Sequence, residues 1–185
     1  MKFNLGCGRR KMAGYINVDA APECEPDEVF DLESTPWPWP AGCAEEILFI
    51  HALEHMGRDP RVFLKIMQET WRIAAAGCRV TIHVPHPRHD NFIDDPTHVR
   101  PITPAMLSLF DRELNDRWAA AGAHSTPLAH YTGVDFRTVS VQLLLEEPYA
   151  TQLQRGEITP AEADRLVATL HNVGKEFRIV LEARK

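Results

Sequence analysis

One stretch limits the fold more than any other: an apolar run, Glu46–Ile50, then a long amphipathic segment, then a second apolar run, Arg79–Val84. Within the segment Asp59 is placed to cap a helix and Pro60 stands in its first turn. Val62, Phe63, Ile66, Met67, Thr70 and Ile73 then recur at helical spacing, and Gly77 is placed to end the helix. Strand, helix, strand in that order is a parallel crossover, and such crossovers are right-handed. Three more short apolar runs come first, Lys2–Leu5, Tyr15–Val18 and Glu28–Phe30. Their Val, Ile, Leu and Phe content suits strands buried on both faces. The expected architecture is α/β with a largely parallel sheet.

Beyond the fifth run the pattern changes. Pro85 to Pro101 is a polar loop that holds His86, His89 and His98 together with Asp90, Asp94 and Asp95. Long polar loops inside small domains are often functional. Thr103-Pro104 starts a helix with Met106, Leu107 and Phe110 on its inner face, and Arg112 to Ala121 continues or restarts it. Val134–Leu145 and Phe177–Ala183 have strand patterns. Between them Pro148–Gly174 carries one or two helices, with a cap and capping-box start at Thr159-Pro160-Ala161-Glu162.

A chain of 185 residues is expected to form a single domain. Its 20 Lys and Arg against 26 Asp and Glu leave a net charge of −6, which argues against a role built on gripping nucleic acid. No apolar segment is long enough for a bilayer, so no membrane partner is expected. Phe3 to Cys7 is too short for the core of a signal peptide. The 4 cysteines include no C-x-x-C pair, so neither a zinc ribbon nor a disulfide framework is suggested, and a cytoplasmic location with reduced thiols is expected.

The chemistry-bearing residues sit where runs end. Gly6-Cys7-Gly8 follows the first run, and glycines there let a ligand approach the backbone closely. Asp19 and Asp31 close the next two runs, so acids line one sheet edge, the edge at which open α/β sheets bind ligands. Asp19 is placed to grip ribose hydroxyls. His51-Ala52-Leu53-Glu54-His55 fits the inverted zinc-peptidase pattern, but that pattern works only inside a helix. Here it follows a strand and breaks at Gly57, so the reading assigns no metal to it. Arg9-Arg10-Lys11 reads either as a solvated basic turn or as a contact for an acidic group. His83 lies inside the fifth run and reads as a packed sheet histidine. For the loop with His98 three readings are open: a substrate site, a metal site, or a loop bonded to itself.

Asn4-Leu5-Gly6-Cys7-Gly8, Gly14-Tyr15-Ile16-Asn17-Val18-Asp19, Asp31-Leu32-Glu33 with Pro36-Trp37-Pro38, and His51-Ala52-Leu53-Glu54-His55 follow one another in order. Together with the helix before Arg79–Pro85 they resemble class I S-adenosylmethionine-dependent methyltransferases, in particular the small methyltransferase type 11 kind. The resemblance covers about residues 2–86. It implies a Rossmann-like, seven-stranded, mostly parallel sheet with an antiparallel last strand, Phe177–Ala183, and helices on both faces. It implies a single methyltransferase-like domain over 1–185, with a helical insertion at about 148–174. It further implies S-adenosylmethionine as cofactor, with Leu5, Gly6, Cys7 and Gly8 against its methionine part, Asp19 near its ribose, Asp31 and Leu32 beside the adenine, and His51 alongside. The chain departs from the family in several ways. The family usually has an acid where Asn4 stands and often a third glycine near Arg10. The link from Gly8 to the second run is too short for a full crossover helix. No helix precedes the first run to act as a lid.

The expected function is therefore methyl transfer from S-adenosylmethionine to a small-molecule acceptor. The alternative is a cofactor-binding protein without transferase activity, serving as a subunit or regulator. His98, His86 and Asp95 are the catalytic candidates, with His98 the favoured base, because an imidazole suits proton removal at neutral pH. Arg100 and His55 are the substrate-binding candidates. The apolar residues of the insertion, Leu153, Ile158, Leu166, Val167 and Leu170 among them, are expected to cover the substrate cleft or a second copy in a homodimer.

Overall fold

The computed structural model describes Met1–Lys185. Seven strands form one sheet: β1 (Lys2–Leu5), β2 (Ile16–Asp19), β3 (Glu28–Val29), β4 (Ala44–Ile50), β5 (Ala74–Pro85), β6 (Phe136–Leu145) and β7 (Gly174–Ala183). Their order across the sheet is β3-β2-β1-β4-β5-β7-β6. The first five are parallel, and β7 runs antiparallel to both β5 and β6. The strand order reverses between β1 and β4, the switch point at which open parallel sheets form a crevice.

Helix α1 (Pro60–Ile73) makes the β4–β5 crossover, and the Asp59 side chain accepts from the Arg61 N–H as its cap. Its end differs from the expected one. The helix stops at Ile73 and β5 begins at once, because Ala74 already pairs with Ala44. Glu46 next pairs with Arg79, so β5 carries extra residues there, and Gly77 at φ +78° turns them. The chain from β5 to β6 holds α2 (Asp90–Ile93), α3 (Pro104–Ser108), α4 (Arg112–Ala120) and α5 (Leu128–Thr132). Arg112 thus restarts a helix, capped by Asp111, whose side chain accepts from the Leu114 N–H. Between β6 and β7 lie α6 (Tyr149–Gln154) and α7 (Pro160–Thr169), the latter with a complete capping box between Thr159 and Glu162.

Side chains alternate across the strands, and the helices surround the sheet unevenly. Phe3, Leu5, Ile47, Phe49, Val80, Ile82 and Leu181 form one buried core with Phe63, Ile66 and Met67 of α1 and with Leu107 and Phe110. On the other face Lys2 pairs with Glu46 at 3.0 Å, and Arg79 and Arg137 pair with Glu182 at 3.3 and 2.8 Å. These charges keep contact with solvent, so this face of the central strands is largely polar, with Leu48 as a buried exception. The cause is in the links. Right-handed winding from β1 toward β3 covers the face opposite α1, yet the β1–β2 and β2–β3 links hold only a 3-10 turn at Pro22–Cys24. In the β3–β4 link Trp37 and Trp39 replace a helix. Both are buried, and Arg72 of α1 donates to their carbonyls at 3.1 and 2.9 Å.

A buried amide pair makes the short β1–β2 link possible. Asn4 and Asn17 are register partners, 1% and 4% exposed. Asn4 Nδ2 donates to the Arg10 carbonyl and to Asn17 Oδ1, both at 2.9 Å. Asn17 Oδ1 also accepts from the Met12 N–H at 2.7 Å, while Asn17 Nδ2 donates to Asp27 at 2.7 Å. Backbone groups that a crossover helix would satisfy are met by these side chains instead. An acid at position 4 has no proton to give at neutral pH, and it would face two acceptors. Asn4→Asp is therefore expected to destabilise the fold by about 2–3 kcal/mol or more. A thermal melt should show a midpoint lower by roughly 4–10 °C; an unchanged midpoint would mean the amide pair is dispensable.

Candidate functional site

The switch point is occupied by a cleft of about 370 Å³, within the usual size of small-ligand sites. Gly6 and Gly8 form one wall. The Gly6 and Cys7 N–H groups both donate to the Val18 carbonyl, at 2.9 and 3.0 Å, which folds the loop over the end of β2. Gly6 has φ +69°, and a Cβ there would lie 2.5 Å from the Ala52 Cβ, so no other residue fits. At Gly8 a Cβ would meet nothing within 4 Å, which leaves open space beside the cleft. Asp19 closes β2 and faces the same cleft. Its Oδ2 accepts from the Gly8 N–H at 2.7 Å and its Oδ1 from the Ala21 N–H at 2.9 Å. The carboxylate thus holds the glycine loop and keeps a further lone pair on each oxygen for a ligand.

The rest of the cleft is more apolar, beginning with Ala52 and Met56 directly beside Gly6. Phe30, Leu32, Ala52 and Met56 line it, with Asp31 and Glu33 at the rim. Asp31 shapes its own turn by accepting from the Glu33 N–H at 2.9 Å, and Glu33 accepts from the Gly57 N–H at 2.6 Å. Trp37 fixes Leu32 by donating its indole N–H to the Leu32 carbonyl at 2.9 Å.

His51 and His55 line this cleft and also a second, polar cavity of about 230 Å³. The polar cavity brings Glu54, Asn91, Asp95, His98, Lys175 and Glu176 together from four parts of the chain. His51 directly follows β4 with φ +54°, a backbone state uncommon outside glycine. Its ring sits between two carboxylates, Nε2 3.0 Å from Glu176 and Nδ1 3.6 Å from Glu54. Glu54 chiefly, and then Glu176, hold the imidazolium form and raise its pKa, against the effect of burial. Arg178 and the two histidines His51 and His83 keep the half-buried Glu176 below the usual carboxylate range in spite of burial.

The polar loop is well pinned. His98 Nδ1 donates to the Phe92 carbonyl at 2.9 Å, and its ring stacks on Phe92. His55 Nδ1 lies 2.8 Å from Thr97 Oγ1, whose own proton goes to Asp95 at 2.5 Å. Thr97 therefore accepts from His55, and both rings keep Nε2 unprotonated in their neutral forms. The two rings meet edge to face with centroids 4.5 Å apart. Asp90 binds His171 at 2.8 Å and Asn172 at 2.6 Å, which ties this loop to the segment after α7.

Of the residues singled out from sequence, Gly6, Gly8, Asp19, Asp31, Leu32 and His51 share the cleft, and His55, Asp95 and His98 share the polar cavity. Four lie elsewhere. Leu5 points into the core on the helix-covered face. The Cys7 thiol is buried, and burial raises its pKa. His86 is 8% exposed and packs on Phe177 at 5.0 Å. Its Nδ1 accepts from the Arg88 N–H at 3.1 Å, and burial and the Arg88 charge lower its pKa. It plugs the end of β5 and faces neither cavity. Arg100 stacks on Phe63 at 4.6 Å and donates to the Gly57 carbonyl at 2.6 Å, so it braces the turn before α1. Phe30, Met56, Lys175 and Glu176 were not singled out. Phe30 directly precedes Asp31 at the end of the third run, a signal that could have flagged it. Nothing local marks Lys175 or Glu176, which β7 brings in from far along the chain.

No protein-family model matches the chain, and no curated protein matches its sequence. Solved structures do match. An S-adenosylmethionine-dependent methyltransferase from Archaeoglobus fulgidus superposes with a TM-score of 0.63 at 17% identity, over 98% of this chain and 85% of that one. One from Methanosarcina mazei gives 0.59 at 12% identity, over 99% and 92%. The 1,6-didemethyltoxoflavin-N1-methyltransferase of Burkholderia thailandensis, solved with bound 1,6-didemethyltoxoflavin and S-adenosylhomocysteine, gives 0.53 at 12% identity, over 100% and 71%. At these identities the likeness is one of fold. With the strand order, the antiparallel β7 and the cleft at the switch point, it gives this chain the class I S-adenosylmethionine-dependent methyltransferase fold.

Proposed function

We propose that the protein binds S-adenosylmethionine in the switch-point cleft and methylates a small polar acceptor that enters through the adjoining polar cavity. The observation that carries this reading is the pair His51 and His55, which line both a cleft with a glycine loop and apolar side chains and a neighbouring cavity walled by ionisable groups. The Burkholderia neighbour binds S-adenosylhomocysteine on the same fold.

The cleft suits such a cofactor residue by residue. Gly8 leaves room that a side chain would fill. Asp19 has acceptor capacity for ribose hydroxyls, and Phe30, Leu32 and Met56 offer apolar area for a purine. When bound, the cofactor supplies a methyl group on a sulfonium, an electrophile that needs alignment more than acid catalysis. The chain's own residues then hold the acceptor. Lys175, which keeps donors beyond its pair with Glu146, orients anionic or carbonyl groups. The Nε2 lone pair of His98 draws off the proton of an acceptor hydroxyl or amine. His98 is only 8% exposed, so water competes poorly there.

Three variants test the two halves separately. Asp19→Ala should weaken S-adenosylhomocysteine binding by about tenfold or more, since charged hydrogen bonds contribute roughly 1.5–3 kcal/mol. Gly8→Ala should also weaken it: its Cβ would project into open space at the cleft, and the φ of +50° adds a backbone cost of about 1 kcal/mol, so a melt is run to show that the variant is folded. Calorimetry that finds unchanged affinity in both folded variants removes the cofactor assignment. In an acceptor screen that follows released S-adenosylhomocysteine, His98→Gln should slow turnover by about 10²-fold or more with cofactor affinity intact. A rate per folded molecule equal to wild type would end the role given to His98.

A further inference from the structure

Glu54 is the most anomalous side chain in the molecule. It is 1% exposed, and neither carboxylate oxygen has a hydrogen-bond partner. Its nearest cation, His51 Nδ1, lies at 3.6 Å, beyond hydrogen-bond length, and the other nitrogen of that ring is engaged with Glu176 at 3.0 Å. A carboxylate cut off from water and given no donor is strongly disfavoured unless a cation or a proton neutralises it. Beside it stand His55, the next residue, and His98, from the far loop. One ligand atom from each of Glu54, His55 and His98 lies within 4.8 Å of the others. Both imidazoles use Nδ1–H toward Thr97 Oγ1 and the Phe92 carbonyl, which leaves Nε2 as the free nitrogen of each. Histidines that ligate metals are typically held in this way, with the second nitrogen donating to an oxygen that fixes tautomer and orientation. Asp95 reinforces the arrangement: it holds the Thr97 hydroxyl, and its Oδ2 lies 3.9 Å from His98 Nε2.

We propose that Glu54, His55 and His98 bind a divalent first-row transition cation, with Asp95 as supporting carboxylate, in the polar cavity beside the cleft. Two imidazoles and one carboxylate suit zinc, cobalt or manganese better than magnesium or calcium, which favour sets made wholly of oxygen. Coordination at about 2.0–2.2 Å needs the three atoms drawn closer than they now stand. The protein supplies three ligands and the cavity supplies space, so at least one position stays open for water or an acceptor oxygen. Binding at this set stands on the geometry alone; a role for the cation in catalysis rests on the methyl-transfer reading above. In that role the cation takes the lone pair of His98 and itself lowers the pKa of the acceptor hydroxyl. The H-x-x-E-H run thus supplies Glu54 and His55, and its first histidine serves as their neighbour. Leu53–His55 is a 3-10 turn, so His51 and His55 do not share a helical face.

The test uses the full chain without a polyhistidine tag, dialysed against a chelator. Cobalt titration should raise a visible absorption band that saturates at about one equivalent and is displaced by zinc, with millimolar magnesium without effect. Glu54→Gln and His98→Gln should each weaken cobalt binding by tenfold or more, and His130→Gln, an exposed histidine paired with Asp116, should leave it unchanged. A melt for each variant shows that it is folded. No saturable band in the wild-type protein, or a band unchanged in both folded variants, overturns the proposal. S-adenosylhomocysteine binding is read separately by thermal shift. Cobalt binding without it keeps this site and removes the methyl-transfer reading, and the reverse result removes only the metal.

Discussion

The hydrogen bond between two buried side-chain amides, Asn4 and Asn17, is what the rest of the architecture depends on. Parallel strands cannot be joined by a tight turn and usually need a helix between them. Here the link from Gly6 to Tyr15 has no helix, so its backbone groups need other partners. Asn4 and Asn17 provide them at Arg10, Met12 and Tyr15, and Asp27 closes the set from the start of the next strand. A side-chain amide both donates and accepts at a single buried point without carrying a charge. This explains why an asparagine stands where an acid is the usual residue of the family that the sequence resembles. It also explains how Gly6 and Gly8 reach the end of β2, where Val18 and Asp19 hold them.

The two cavities are joined by one strained residue. His51 takes a left-handed backbone at the end of β4, and Glu54 and Glu176 flank its ring. Those carboxylates come from opposite parts of the chain, one from the turn after β4 and the other from β7. The interaction that favours the imidazolium also ties β7 to the switch point. Charge at this junction is therefore a property of the assembled sheet, and no local segment carries it.

Much of the architecture was legible because it rests on local rules. The Asp59-Pro60 start of α1, the Thr159 capping box and the alternation of Val80, Ile82 and Val84 follow from capping and periodicity alone. Gly6, Gly8, Asp19 and Asp31 could be picked out because turns at strand ends carry recognisable residues. The solvent-facing charges Arg79 and Glu182 were less legible, since a parallel strand reads as buried on both faces until the missing helices are seen. His86 and His98 show the limit most clearly. Both are histidines of one polar loop, and nothing in their neighbours distinguishes them. What separates them is the far chain: Phe177 and Gly174 close over His86, while His55 and Phe92 frame His98.

The segment between β6 and β7 belongs to the same argument. Its helices α6 and α7 leave Leu170 45% exposed, so burial of their own apolar area does not by itself explain their position. Polar ties do. Asn172 and His171 grip Asp90, Asn172 also donates from its backbone to the Arg88 carbonyl, and Glu146 receives His89 and Lys175. These bonds lock the histidine loop onto the strand that delivers Lys175 and Glu176. The polar cavity therefore has a floor fixed by β4 and β5 and a rim fixed by this clasp. Loss of the clasp would free the rim while the core beneath it, built on Phe3, Ile47, Phe49 and α1, kept its packing. The cavity beside the cleft is lined almost wholly by polar side chains, and hydrogen bonds, ion pairs and the ring contacts of His98 with His55 and Phe92 give it shape.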